Sequence, residues 1–99
     1  MELIKDEVFT FKLNSGEELM GKVKDFNDIY ILISEPVSVA PGPQGIGLVP
    51  SMFTADNSVS ARLNTSSISL IAPTEDSVKM KYLEATTGIK VPTKKIVLG

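Results

Sequence analysis

Apolar and polar residues alternate along VFTFKL, Val8–Leu13, placing Phe9, Phe11 and Leu13 on one face and Thr10 and Lys12 on the other. A period of two marks a half-buried β-strand. NSG, Asn14–Gly16, is a turn that contains a residue tolerant of positive φ. The alternation resumes over Glu17–Asp25, with Leu19, Gly21 and Val23 facing one way and Met20, Lys22 and Lys24 the other. FND, Phe26–Asp28, marks a second turn. IYILI, Ile29–Ile33, is apolar on both faces, as a central strand covered on both sides would be. Strand, turn, strand, turn, strand predicts an antiparallel meander.

Gly21 falls on the inward face of the second strand, between Leu19 and Val23. A glycine there permits a sharp bend or a close backbone approach, as a small barrel requires. The plainer alternative is that Gly16 and Gly21 are two unrelated turn glycines. APGPQGIG, Ala40–Gly47, carries prolines and glycines and no charge, and predicts a loop at the tip of a hairpin. LVPSMFT, Leu48–Thr54, and VSARL, Val59–Leu63, predict strand with a break at Ala55–Ser58. NTSS, Asn64–Ser67, reads as a tight polar turn and ISLIA, Ile68–Ala72, as a short closing strand. Pro73 ends it. A helix is predicted over 74–87, with Thr74 as N-cap, Glu75 and Asp76 in the first turn and Gly88 as C-cap. Its weak apolar stripe, Val78, Tyr82 and Leu83 flanked by Met80, suits packing on an end of a barrel. Residues 1–7 read as an N-terminal arm, and the basic tail 89–99 as a further strand, a partner-binding arm or a disordered end.

At 99 residues, the chain has room for one domain with a modest core, so association with copies of itself is a natural way to bury more. An apolar fraction of 42% and a charged fraction of 22% are those of a globular protein. The net charge of −2 gives no global basic character, so an anionic partner would need a local patch. With no cysteine and no histidine, disulfides, thiolate metal sites and the commonest general base are excluded. No apolar run reaches the ~18 residues of a membrane span. MELIKDEVF lacks the pattern of a signal peptide, so a reducing, cytoplasm-like compartment is expected. The NTS at Asn64–Ser66 matches a glycosylation sequon that such a compartment would not use. The glycines of 42–47 lack P-loop spacing.

FKLNSGEELMGKVKDFND followed by IYILI, Phe11–Ile33, resembles the first motif of the Sm/LSm family of RNA-associated ring proteins. Leu13, Gly16, Gly21, Val23 and Phe26 fall in step with it. LNTSSISLI, Leu63–Ile71, keeps the hydrophobic pattern and turn of the second motif. The whole chain is similar to the small Sm-like proteins of marine phage known from ocean metagenomes. The resemblance implies a strongly bent five-stranded antiparallel barrel of SH3-like type over 8–72, and a homo-oligomeric ring formed by pairing of edge strands. Phage or host RNA metabolism would be its setting and the host cytoplasm its location. Four positions depart from the family. Asn27 stands where the family offers Asp to RNA. With one residue fewer in the turn, Tyr30 stands where it offers Asn. Asn64 and Thr65 replace the Arg-Gly of the second motif. The helix also lies at the C-terminal end, where the family typically has one at the N-terminus.

The candidate RNA contacts are accordingly Phe26, Asn27, Asp28 and Tyr30 in one turn and Asn64, Thr65, Ser66 and Ser67 in the other. In an Sm barrel these turns meet at the pore. Aromatic planes stack bases, and amides and hydroxyls supply donors and acceptors. Lys22, Lys24, Lys79 and Lys81 form a candidate basic patch; the plainer readings, which the residue types favour, are burial for Phe26, a barrel-surface or interface place for Tyr30, and solubility for the lysines. Glu17 and Glu18 face opposite sides of a strand, and Asp25 with Asp28 is a poor cation site. The expected function is non-catalytic, with no metal, cofactor, small-molecule substrate or membrane: a ring-forming RNA-binding module. Its rivals are a phage structural or assembly ring that binds no nucleic acid, and an accessory subunit of a larger complex.

Overall fold

The computed structural model describes residues 2–87. Six strands form one antiparallel sheet: β1 (Val8–Leu13), β2 (Glu18–Phe26), β3 (Tyr30–Gly42), β4 (Gly45–Pro50), β5 (Ala61–Asn64) and β6 (Ile68–Pro73). A 3₁₀ turn, Thr65–Ser67, joins β5 to β6, and one helix, α1 (Asp76–Thr87), follows. The sheet order is β4-β3-β2-β1-β6, with β5 beside β3. The meander β1–β2–β3 is as predicted. The expected tail lies outside the described residues, as does Gly88. No helix among the described residues is long and apolar enough to cross a membrane.

The expected closed five-stranded barrel is not what forms. β5 pairs with β3 and β6 with β1, and no ladder joins β5 to β6, so the sheet stays open between them. The predicted break at Ala55–Ser58 is present but longer, because the segment from Leu48 ends at Pro50 and the next begins at Ala61. Pro50 has no N–H to continue the ladder. Asp56 then accepts from both the backbone N–H and the hydroxyl of Ser58, which fixes a turn in the connection to β5.

The predicted loop Ala40–Gly47 is instead mostly strand. β3 runs to Gly42 and β4 begins at Gly45. Only Pro43 and Gln44 turn the chain, and Gly45 takes the φ of +105° that follows. Pro41 is tolerated because β3 last pairs with β2 at Ser38, so its nitrogen has no β2 partner to lose.

β3 changes partners along one edge, pairing β5 over Tyr30–Ile33 and β4 over Val37–Gly42. The change falls at Glu35, whose φ is +50°. Opposite it, the β2–β3 register shifts between Met20 and Lys22, on either side of Gly21. A Cβ on Gly21 would lie 3.2 Å from the Ile33 Cβ, so the predicted close approach is real.

The inner face holds Phe9, Phe11, Leu19, Val23, Ile31 and Ile33. The opposite face holds Val8, Met20 and Val37, and α1 covers them with Val78, Tyr82 and Leu83. The helix therefore sits on the outer face rather than on an end, because β1 and β2 are apolar on that side too at Val8 and Met20. Met80 stays exposed, as a flanking residue should. Glu75, not Thr74, caps the helix, its carboxylate accepting from the Val78 N–H at 3.3 Å. Thr74 is buried, its hydroxyl sharing a hydrogen bond with that of Thr10 and its N–H donating to the Val8 carbonyl.

The tie between helix and sheet is the Tyr82 hydroxyl. It accepts from the Lys22 N–H at 3.2 Å and donates toward the carbonyls of Ser34 at 2.7 Å and Glu35 at 3.1 Å. These groups flank the register shift: Lys22 and Ser34 face each other across β2 and β3, and Glu35 follows. Burial pushes the Tyr82 phenol up to about 12.

Candidate functional site

The fold brings the two polar turns together. Tyr30 pairs with Asn64 across β3 and β5. The Thr65 N–H donates to the Ile29 carbonyl at 2.9 Å, and the Thr65 hydroxyl reaches the carbonyls of Asp28 and Ile29 at 2.8 and 3.0 Å. A third element, which sequence reasoning did not single out, joins them. Asn14, in the β1–β2 turn, donates from its backbone to the Ser67 carbonyl and from its side chain to the Ser66 carbonyl, each at 2.8 Å. Its side-chain oxygen accepts from the Ser69 hydroxyl at 2.6 Å. The β5–β6 turn thus touches both the β2–β3 turn, through Thr65, and the β1–β2 turn, through Ser66 and Ser67.

The local sequence explains the shape of the first turn. The Asn27 side-chain oxygen accepts from the backbone N–H groups of Ile29 and Tyr30, at 2.8 and 2.9 Å. Such Asx turns replace backbone pairing where the chain reverses. The Asp25 carboxyl is held below the usual carboxylate range, first by the Phe26 N–H and then by Lys5.

These bonds sort the candidates. Thr65 and Ser67 spend their hydroxyls on backbone carbonyls and hold the turns in shape. Among the described residues, nothing occupies the Asn27 side-chain nitrogen, the Asn64 amide, the Ser66 hydroxyl or the Asp28 carboxylate. Asn27 and Asn64 therefore keep donors for a ligand, and Asn64 keeps an acceptor as well. Asp28 presents a negative charge that a phosphate would avoid.

The two aromatics do not share a face. Phe26 pairs with Ile31, an inner-face residue, while Tyr30 lies on the outer face. Phe26 is 40% exposed at the rim of the core rather than within it. Tyr30 instead meets Arg62, whose guanidinium carbon lies 4.3 Å from the ring centroid. Arg62 is the chain's one arginine, which is the signal that could have drawn attention to it. Its place in β5, opposite Leu32, puts it on the face of Tyr30 and Asn64. Ile29, expected in the strand, precedes it and stands 65% exposed beside the same turn.

The four candidate lysines are differently placed. Lys24 pairs with Asp6 at 2.6 Å and Lys79 with Glu7 at 3.8 Å. The Asp6 carboxyl is held below its ordinary range chiefly by the hydrogen bond from Lys24. Lys22 is half-buried in β2 beside the Tyr82 tie, and Lys81 is exposed on α1. The cation that stands against the polar turns is Arg62.

An outer surface of tyrosine ring, guanidinium and carboxamides can stack a planar base and contact a phosphate or a base edge. Comparison of the sequence with protein-family models and with curated proteins returns no match.

Proposed function

We propose that this protein is a non-catalytic Sm-like subunit of a homo-oligomeric ring that binds single-stranded RNA, in phage or host RNA metabolism. The observation that carries the reading is the outer-face cluster of Tyr30, Arg62 and Asn64, built where the two polar turns meet. The open sheet supports the ring. β5 and β6 each leave one edge unpaired, and identical chains can satisfy such edges in one another. Recognition is weak in base preference, because stacking on Tyr30 tolerates any base and the residues that read uracil in the resembling family are replaced by Asn27, Tyr30 and Asn64.

Fluorescence anisotropy with oligo-U, oligo-A and single-stranded DNA at two salt concentrations tests this. Tyr30→Ala is expected to weaken all RNAs alike, by roughly 1–3 kcal/mol for a lost stacked base. Arg62→Gln is expected to lower the salt slope by about 0.7 per chain that contacts a phosphate. Lys24→Ala is expected to change the slope less, because Lys24 is paired with Asp6. Tight, uracil-selective binding indifferent to Tyr30 and Arg62 would place the site elsewhere. Absence of binding at low salt would favour the second reading, a structural ring without nucleic acid. The net charge of −2 and the exposed apolar side chains at the sheet edges speak for that reading.

A further inference from the structure

The two open edges of the sheet differ in kind. At the β4–β5 edge, the connection 51–60 carries Met52, Phe53 and Val59 into solvent, with Phe53 82% exposed. At the β6 edge, Leu70 is 67% exposed. Beside β6, a cavity of about 240 Å³ opens between α1 and the strand end, lined by Met20, Val39, Ala72, Pro73 and Val78, with Glu18 and Glu75 also among its walls. β4 and β6 carry none of the charges that usually keep strands from pairing, while β5 carries one, Arg62. No charged residue stands between Glu35 and Asp56, and none between Arg62 and Glu75.

We propose that Phe53 is the anchor between copies, seated in the cavity beside Ala72 and Pro73 of the next chain. The inference rests on the ring reading above and names how its subunits meet. An antiparallel continuation of the sheet sets β5 of one copy against β6 of the next. Ala61, the start of β5, then lies at the Pro73 end of the neighbouring β6. The connection that carries Phe53 leads into Ala61, so it arrives where the cavity opens. The contact is heterologous, one patch meeting a different patch, which is the kind that closes into rings. Covering Phe53, Met52 and Val59 together with Leu70 of the neighbour removes roughly 500 Å² of apolar surface. That is about a third of the ~1,600 Å² a standard interface buries, with the strand ladder adding to it.

The absence of cysteine makes the test clean. Full-length chain carrying both Phe53→Cys and Ala72→Cys is assembled, oxidised and run without reductant, beside each single variant and the pair Phe53→Cys with Ser66→Cys. The expected result is a ladder of covalent multiples for Phe53→Cys with Ala72→Cys, and single chains for the rest. Phe53→Ser is expected to raise the dissociation constant of the assembly about tenfold or more while the circular dichroism stays unchanged. A dimer from Phe53→Cys alone, or a ladder only with Ser66→Cys, would overturn the arrangement. Sedimentation of the wild type separates the two claims. Assembly without the ladder removes the Phe53 anchor and leaves the ring, whereas a wild type that sediments as one chain removes both.

Discussion

Tyr82→Phe is expected to destabilise the fold by about 1–3 kcal/mol, although the ring that packs on Val8, Met20 and Val37 is kept. The substitution removes only the hydroxyl. It leaves the Lys22 N–H without its acceptor and the Ser34 and Glu35 carbonyls without their donor. Lys22 and Ser34 face each other across β2 and β3 beside the register shift, and the Tyr82 hydroxyl bridges their backbone groups. Tyr82→Ala should cost more, about 3–5 kcal/mol, since the aromatic contact is lost as well. Chemical denaturation of the three proteins reads both differences. A pH series adds an independent check. The phenol titrates near 10 when unfolded and at about 12 when folded. A raised folded value means that the stabilisation is complete below pH 10 and is lost as pH climbs toward 12. The gap between wild type and Tyr82→Phe should therefore shrink across that interval. A gap that is constant, or absent at neutral pH, would show that the hydroxyl does not hold the bend.

Gly21→Val is the second large effect, with an expected loss of about 1–3 kcal/mol. The first added carbon would stand 3.2 Å from the Ile33 Cβ and 3.4 Å from the Ser34 carbonyl oxygen. The Ser34 oxygen belongs to the backbone that also receives the Tyr82 hydroxyl, so it has little freedom to move. The two branches of valine crowd the site further. A denaturation midpoint equal to that of the wild type would mean that β2 and β3 do not approach as closely as this fold requires. Gly16 is a useful contrast, because a Cβ there meets nothing and only its φ of +96° resists substitution.

Alternation over Val8–Leu13 and Glu17–Asp25 was enough to place the first strands, and the spacing of Val78, Tyr82 and Leu83 was enough to place the packed face of the helix. Those elements obey local periods. The failures occur where tertiary context decides. Ala40–Gly47 reads as loop because proline and glycine break ladders, yet past Ser38 the ribbon has no β2 strand to accommodate. Thr74 is a good N-cap by residue type, but Thr10 and the Val8 carbonyl claim it, and Glu75 takes the role. At the site, the polar turns were legible as turns, and their meeting followed from the family resemblance. Arg62 stood out only as the chain's one arginine and Asn14 only as a turn residue, so the part each plays was not legible. Each acts through a partner distant in sequence: Arg62 through Tyr30, and Asn14 through Ser66 and Ser69. The split of Phe26 and Tyr30 onto opposite faces was equally hidden, since it depends on the second register shift, between Val23 and Asp25.

Native mass spectrometry of the full chain with a single-stranded RNA oligonucleotide, at low and moderate ionic strength, tests ring and ligand in one measurement. The account predicts one discrete multiple of the 10.7 kDa chain, carrying RNA at low ionic strength and losing it as salt rises. Single chains at micromolar concentration, or an assembly that never carries RNA at low ionic strength, would contradict it.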